Sequence, residues 1–124
     1  AKNLYQLSIY FDNSYYEKVA KQMLTVLLPN IDYPSAYSNW LDLALSFSEQ
    51  NKELAICGAN AKELSKIINK MYIPNVLLAG TNKPSTLPFL KDRFEVDKTF
   101  FYVCQNRTCQ IPTNDLEKVI SDLI

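Results

Sequence analysis

Apolar positions over the first fifty residues recur every three or four places, and beyond them the spacing shortens. Leu4, Leu7, Ser8 and Phe11 fall on one face of a helix spanning residues 1–11. Asp12-Asn13-Ser14 breaks that pattern, and Ser14 with Glu17 three places on reads as the capping box of a second helix. The second helix carries Tyr16, Val19, Ala20, Met23, Val26 and Leu27 inward and pairs Glu17 with Lys21 on its wet side. Pro29-Asn30 ends it. Asp32 and Pro34 open a third helix, whose apolar face is Ala36, Trp40, Leu43, Ala44 and Phe47. The expectation for residues 1–50 is a three-helix unit, followed by a polar turn at Ser48–Lys52.

From Glu53 the pattern is that of buried strands. Glu53–Gly58 and Asn75–Gly80 are short apolar runs, each ending in glycine. Between them Asn60 is placed to cap a helix that carries Leu64, Ile67, Ile68 and Met71 and ends before Pro74. Strand, helix and strand within about thirty residues predict a parallel pair with a crossover helix. Leu87–Phe94 reads as one or two helical turns, Thr99–Cys104 as a third strand and Thr108–Ile111 as a short fourth. Thr113 or Asn114 should cap a last helix with Leu116, Val119, Ile120 and Leu123 inward. The fold expected is α/β: three helices packed on a small mixed, mainly parallel sheet of three or four strands, with two covering helices. Residues 51–124 would form a small α/β subdomain, compact with the helices before it.

Composition narrows the functional classes. The 124 residues carry 13 basic and 13 acidic side chains, so no net field draws the chain to nucleic acid or to an anionic membrane. No apolar run approaches the ~20 residues of a membrane span. Histidine is absent. A Ser-His-Asp triad and a histidine-ligated metal are therefore impossible within these residues, and no catalytic residue, metal site or cofactor is expected. Three cysteines, an odd number, argue for a reducing, cytoplasmic setting over a disulfide scaffold. The start Ala1-Lys2-Asn3, with no initiator Met and no signal pattern, reads as a cut from something larger.

Two features retain candidate chemistry. Cys104 and Cys109 flank Gln105-Asn106-Arg107-Thr108, and a four-residue hairpin loop there would set the cysteines opposite each other. Opposed residues at a non-hydrogen-bonded position sit ~4.5 Å apart, within disulfide range. The pair could be buried thiols at a sheet edge, a structural or labile disulfide, or half a metal site; it lacks the C-x-x-C spacing of a helix-start redox pair. The second feature lies at the carboxyl ends of the parallel strands, where open α/β sheets bind ligands. Gly58, Asn60, Gly80, Thr81 and Asn82 cluster there as candidates for a sugar or phosphate site, against the plainer reading that they are turns and caps. The aromatics Tyr5, Tyr10, Tyr15, Tyr16, Tyr33, Tyr37 and Trp40 exceed what one core face of the helical part needs. Contact with protein beyond these residues accounts for them better than a carbohydrate groove.

The run Tyr102-Val103-Cys104-x-Asn106-x-x-Cys109-Gln110-x-Pro112, followed by a capped helix, resembles the C-terminal signature of the YyaL / spermatogenesis-associated protein family. Pro34-Ser35, the strand from Glu53 to Gly58 and Tyr72-x-Pro74-Asn75 agree in order. Arg107 stands where an aromatic is usual, and Pro112-Thr113-Asn114-Asp115 is one residue tighter than the usual cap. The resemblance implies a parent protein with a thioredoxin-like domain followed by an (α/α)6 toroid. Residues 1–50 would be the last toroid helices. The expected function is a non-catalytic, C-terminal structural or interaction module, whose partners are the rest of the parent chain or a second copy of itself. The alternatives are a small-ligand module at the strand ends and a redox element at Cys104 and Cys109.

Overall fold

Residues 53–57 are all buried, and the strand that holds them, β1 (Lys52–Cys57), is flanked on both sides by other strands. In the computed structural model, which describes residues 1–48 and 51–124, the sheet order is β2-β1-β3-β4. Its other strands are β2 (Val76–Thr81), β3 (Phe100–Gln105) and β4 (Thr108–Cys109). Glu49 and Gln50, the middle of the expected polar turn, lie outside the described residues. The chain divides into two compact units, Ala1–Asn51 and Lys52–Ile124.

In the second unit the first three strands lie within one residue of their expected bounds. β1 and β2 pair in parallel from Lys52↔Val76 to Cys57↔Thr81, joined by helix α4 (Ala61–Asn69). β3 pairs with β1 antiparallel, from Cys57↔Phe100 to Glu53↔Cys104, and β4 folds back on β3. The sheet is mixed as expected, but only one pairing is parallel. The cause is the connection from β2 to β3: without a second crossover helix the chain re-enters beside Cys57, at the end it has just left, and must run backwards.

Period-two alternation assigns the two faces of the sheet. Leu54, Ile56, Phe101 and Val103 point into one core with Ala61 and Ile68 of α4 and with Val119 and Leu123 of α5 (Leu116–Leu123). Each fully buried aliphatic side chain there contributes about 1.5–3 kcal/mol. Glu53, Ala55, Cys57, Tyr102 and Cys104 belong to the opposite face by the same alternation. No helix forms over Leu87–Phe94. Leu90 N–H donates to Leu87 O at 2.8 Å and Arg93 N–H to Leu90 O at 3.4 Å, while Asp92 takes a positive φ of 61° that stops helical propagation. Phe89 and Leu90 of this turn are buried.

The first unit holds α1 (Lys2–Tyr10), α2 (Ser14–Leu27) and α3 (Ser38–Ser46), with 3-10 turns at Leu28–Asn30 and Pro34–Tyr37. The Tyr5 hydroxyl donates to Ser46 O at 2.8 Å, and its ring meets Phe47 edge-on at 4.9 Å. Ser8, Ala20, Leu24 and Leu43 are buried. Several side chains expected to face inward do not: Leu7, Phe11, Met23 and Val26 are exposed, the last at 75%. Short helices with few neighbours bury only narrow stripes, and Leu24, missed by the periodicity, takes the place given to Met23.

The helix caps differ from expectation for local reasons. Asn13, not Ser14, caps α2, accepting from Tyr15 N–H at 3.0 Å and Tyr16 N–H at 3.3 Å. Asp115 caps α5 through Glu117 N–H and Lys118 N–H, while Thr113 Oγ1 accepts from Asp115 N–H just before it. Asn60 occupies the cap position of α4 but makes no side-chain cap bond. Asp115→Ala should therefore cost about 1 kcal/mol of stability, and Asn60→Ala close to nothing. Urea denaturation followed by circular dichroism checks the contrast; equal losses would contradict the assignment.

Candidate functional site

A two-residue turn, Asn106-Arg107, joins β3 to β4, with φ of 51° and 62°. Two positive φ values are the signature of a type I′ turn, whose twist matches that of the flanking strands. The expected four-residue loop is thus two residues long, because Gln105 and Thr108 pair. Gln110 N–H donates to Val103 O at 2.9 Å, so ladder alternation puts Cys104 and Cys109 at a non-hydrogen-bonded position. Their Cα atoms are 3.9 Å apart and their sulfurs are bonded. Cys104 is buried and Cys109, on the sheet's outermost strand, is exposed.

Arg93 reaches this disulfide from the turn after Leu90. Its Nη2 donates to Cys109 Sγ at 3.4 Å and its Nη1 lies 3.8 Å from Cys104 Sγ. The guanidinium stacks 4.8 Å from the Tyr102 ring centroid and 5.3 Å from that of Phe89. The Tyr102 hydroxyl donates to Arg93 O at 3.1 Å, so one tyrosine holds both ends of the arginine. A cleft of about 260 Å³, lined in part by Lys52, Gln105, Thr108 and both cysteines, opens beside the bond. Sequence spacing could not find Arg93 as a neighbour of the cysteines, since a turn without periodicity delivers it; Tyr102 shares the face of Cys104 by strand alternation.

Cys57 is the free thiol among the described residues and is wholly buried. Burial pushes its pKa up, partly opposed by the Arg93 charge. The Tyr102 phenol is also raised, mainly by burial, then by the charges of Cys57 and Glu95, with Arg93 opposing. Among the described residues no three of Cys, Asp and Glu converge as a metal-ligand set.

At the carboxyl ends of β1 and β2 the five candidate residues separate into two groups. Gly80, Thr81 and Asn82 line an open cleft of about 390 Å³ with Ala61, Lys62, Ser65 and Lys83. The two lysines were not singled out from sequence. Thr81 Oγ1 is already engaged, donating to Lys83 O at 2.6 Å and accepting from Lys83 N–H at 3.3 Å. Gly58 and Asn60 instead hold the strand that follows the long loop. Asn60 N–H donates to Thr99 Oγ1 at 3.1 Å. Gly58 has φ of 143°, and a Cβ there would lie 2.4 Å from Lys98 O and 2.5 Å from Thr99 Cα.

Three substitutions follow from this geometry. Gly58→Ala should destabilise by more than about 2 kcal/mol, since backbone blocks the added methyl and the φ disfavours it. Arg107→Gly should stabilise by about 1 kcal/mol by removing a side chain from a left-handed position. Denaturant midpoints of the oxidised proteins read both. The raised pKa of Cys57 means that the unfolded chain gives up its proton first. Its contribution to stability is whole below the ordinary thiol value of about 8.5 and is lost as pH rises past it. The midpoint should fall above that pH, and in Cys57→Ala the fall should start later, nearer the tyrosine range of about 10.

No family model matches the chain, and no solved structure matches it. Human spermatogenesis-associated protein 20 is similar, 38% identical over an 85-residue alignment that takes in 58% of this chain. The match covers 11% of that protein's length. No helix among the described residues is long and apolar enough to cross a membrane. The similarity supports a relation between this chain and the spermatogenesis-associated family.

Proposed function

We propose that the chain is a non-catalytic structural and interaction module of a larger protein, its role being to hold together surfaces of that protein. One observation carries this reading: the first unit leaves large apolar side chains uncovered in helical register. Leu7 lies on α1 and Phe11 at its C-terminal cap one turn on, and Met23 and Val26 share a side of α2; all four are exposed, as are Tyr15 and Tyr33. Soluble monomers expose such side chains singly, and repeated exposure along helices is the mark of a surface made for protein contact. A chain that corresponds to about a tenth of its relative has much else to contact.

In this reading residues 1–50 are the last helices of an (α/α)6 toroid, and residues 51–124 are a C-terminal appendage of a cytoplasmic, thioredoxin-domain-containing protein. The uncovered apolar positions contact the preceding toroid hairpins or, in the chain by itself, a second copy. The alternative of a sugar or phosphate site at the strand ends has weaker support. The Asn60 N–H and the Thr81 hydroxyl that would grip an anion are already satisfied within the chain.

The chain by itself should therefore self-associate on concentration, and lysines at Phe11 and Val26 should keep it monomeric with its circular dichroism unchanged. Sedimentation equilibrium over a dilution series checks this. A wild-type chain that remains monomeric at every concentration would overturn the interaction reading. Turnover of an aldose by the purified chain would overturn the non-catalytic one.

A further inference from the structure

We propose that Cys104–Cys109 is a thiol–disulfide exchange site, with Cys109 the sulfur attacked, Cys104 the sulfur that leaves and Arg93 the group that stabilises the departing thiolate. Three observations converge on it. Access to the bond is one-sided: Cys104 is only 2% exposed, whereas Cys109 lies exposed on a two-residue edge strand beside an open cleft. A cation is held against both sulfurs, at 3.4 Å and 3.8 Å. That cation is fixed before any reaction, by the Tyr102 and Phe89 rings and by the Tyr102 hydroxyl on its carbonyl. Structural disulfides are usually sheltered; exchangeable ones are exposed and have a leaving sulfur of lowered basicity. A prearranged donor aimed at developing negative charge lowers the barrier to its formation.

The co-substrate is a dithiol, or two molecules of a monothiol such as glutathione. A thiolate attacks Cys109 Sγ, a mixed disulfide forms there and the Cys104–Cys109 bond breaks. The electron pair stays on Cys104 Sγ beside the Arg93 guanidinium and later takes a proton from water. A second thiolate attacks the external sulfur and releases Cys109 as its own thiolate. The reductant departs as a disulfide, and two electrons have passed to the protein. Cys57, buried and remote in register from Cys104, takes no part. Reduction removes the covalent tie between β3 and β4 and leaves their backbone pairing and the Tyr102 and Phe89 contacts to Arg93 in place.

Trypsin provides a direct readout, because cleavage after Lys98, Arg107 and Lys118 puts Cys104 and Cys109 in separate peptides. The folded chain is treated with limiting reduced glutathione at neutral pH, quenched in acid and mapped by mass spectrometry. The expected adduct is on the peptide 108–118, with Cys104 free on 99–107. In parallel, native reduction by dithiothreitol is timed for the wild type, Arg93→Gln and Arg93→Lys. Arg93→Gln should slow it about tenfold, and Arg93→Lys should restore most of the rate. An adduct on Cys104, or reduction that requires denaturant, overturns the proposal. So does an unchanged rate in a folded Arg93→Gln chain. Should Arg93→Gln fail to fold, the adduct position in the wild type decides.

Discussion

The second unit depends on β1 being paired along both edges and buried on both faces. A strand so placed has no water to satisfy its backbone, so each N–H and C=O must find a ladder partner, and β2 and β3 supply them. Its side chains then divide strictly. Leu54 and Ile56 go to the helices, while Glu53, Ala55 and Cys57 go to the face on which Tyr102 and Cys104 also lie. A slip of one residue would exchange these sets and bury Glu53 among leucine and isoleucine, which is why the register is well determined.

The disulfide and its arginine follow from that strand. Because β3 runs antiparallel to β1, Tyr102 lies beside Ala55, the smallest buried side chain on that face, and its ring is free to carry the Arg93 guanidinium. The hairpin register pairs Cys104 with Cys109 directly, and closing in two residues adds the Gln105–Thr108 pair beside them. The left-handed φ at Arg107 is a local cost, and Asn106 beside it belongs to the residue types that adopt such a conformation most readily. Hairpin geometry brings the sulfurs together, and the turn after Leu90 brings the charge.

Gly58 performs a different task from the one its place in the sequence suggested. At the carboxyl end of a parallel strand a glycine commonly lets a ligand approach. Here the close neighbour is the chain's own Lys98-Thr99 backbone, and Thr99 also takes the Asn60 N–H. The end of the sheet that is open in many α/β folds is closed at β1 and open only at β2. The long connection that makes β3 antiparallel also fills that space, so topology and the separation of Gly58 and Asn60 from the cleft have one cause.

The sequence by itself determined the order and type of the regular elements apart from the helical turns expected over Leu87–Phe94, the parallel pairing of β1 with β2 and the opposition of Cys104 to Cys109. These rest on periodicity and on short turns, both of which act over a few residues. It placed the first-unit helices but overstated what they bury, since periodicity tells which side of a helix is apolar and not whether anything covers it; Val26 and Phe11 are the examples. Cap positions missed by one or two residues because Asn13, Ser14, Thr113, Asn114 and Asp115 can all accept the same N–H groups. Only the tertiary structure decided the direction of β3, the blocking of Gly58 and the approach of Arg93 to the sulfurs. All three depend on the path of residues 82–99, where no repeating pattern exists and where long-range packing of Phe89, Leu90 and Tyr102 selects the conformation.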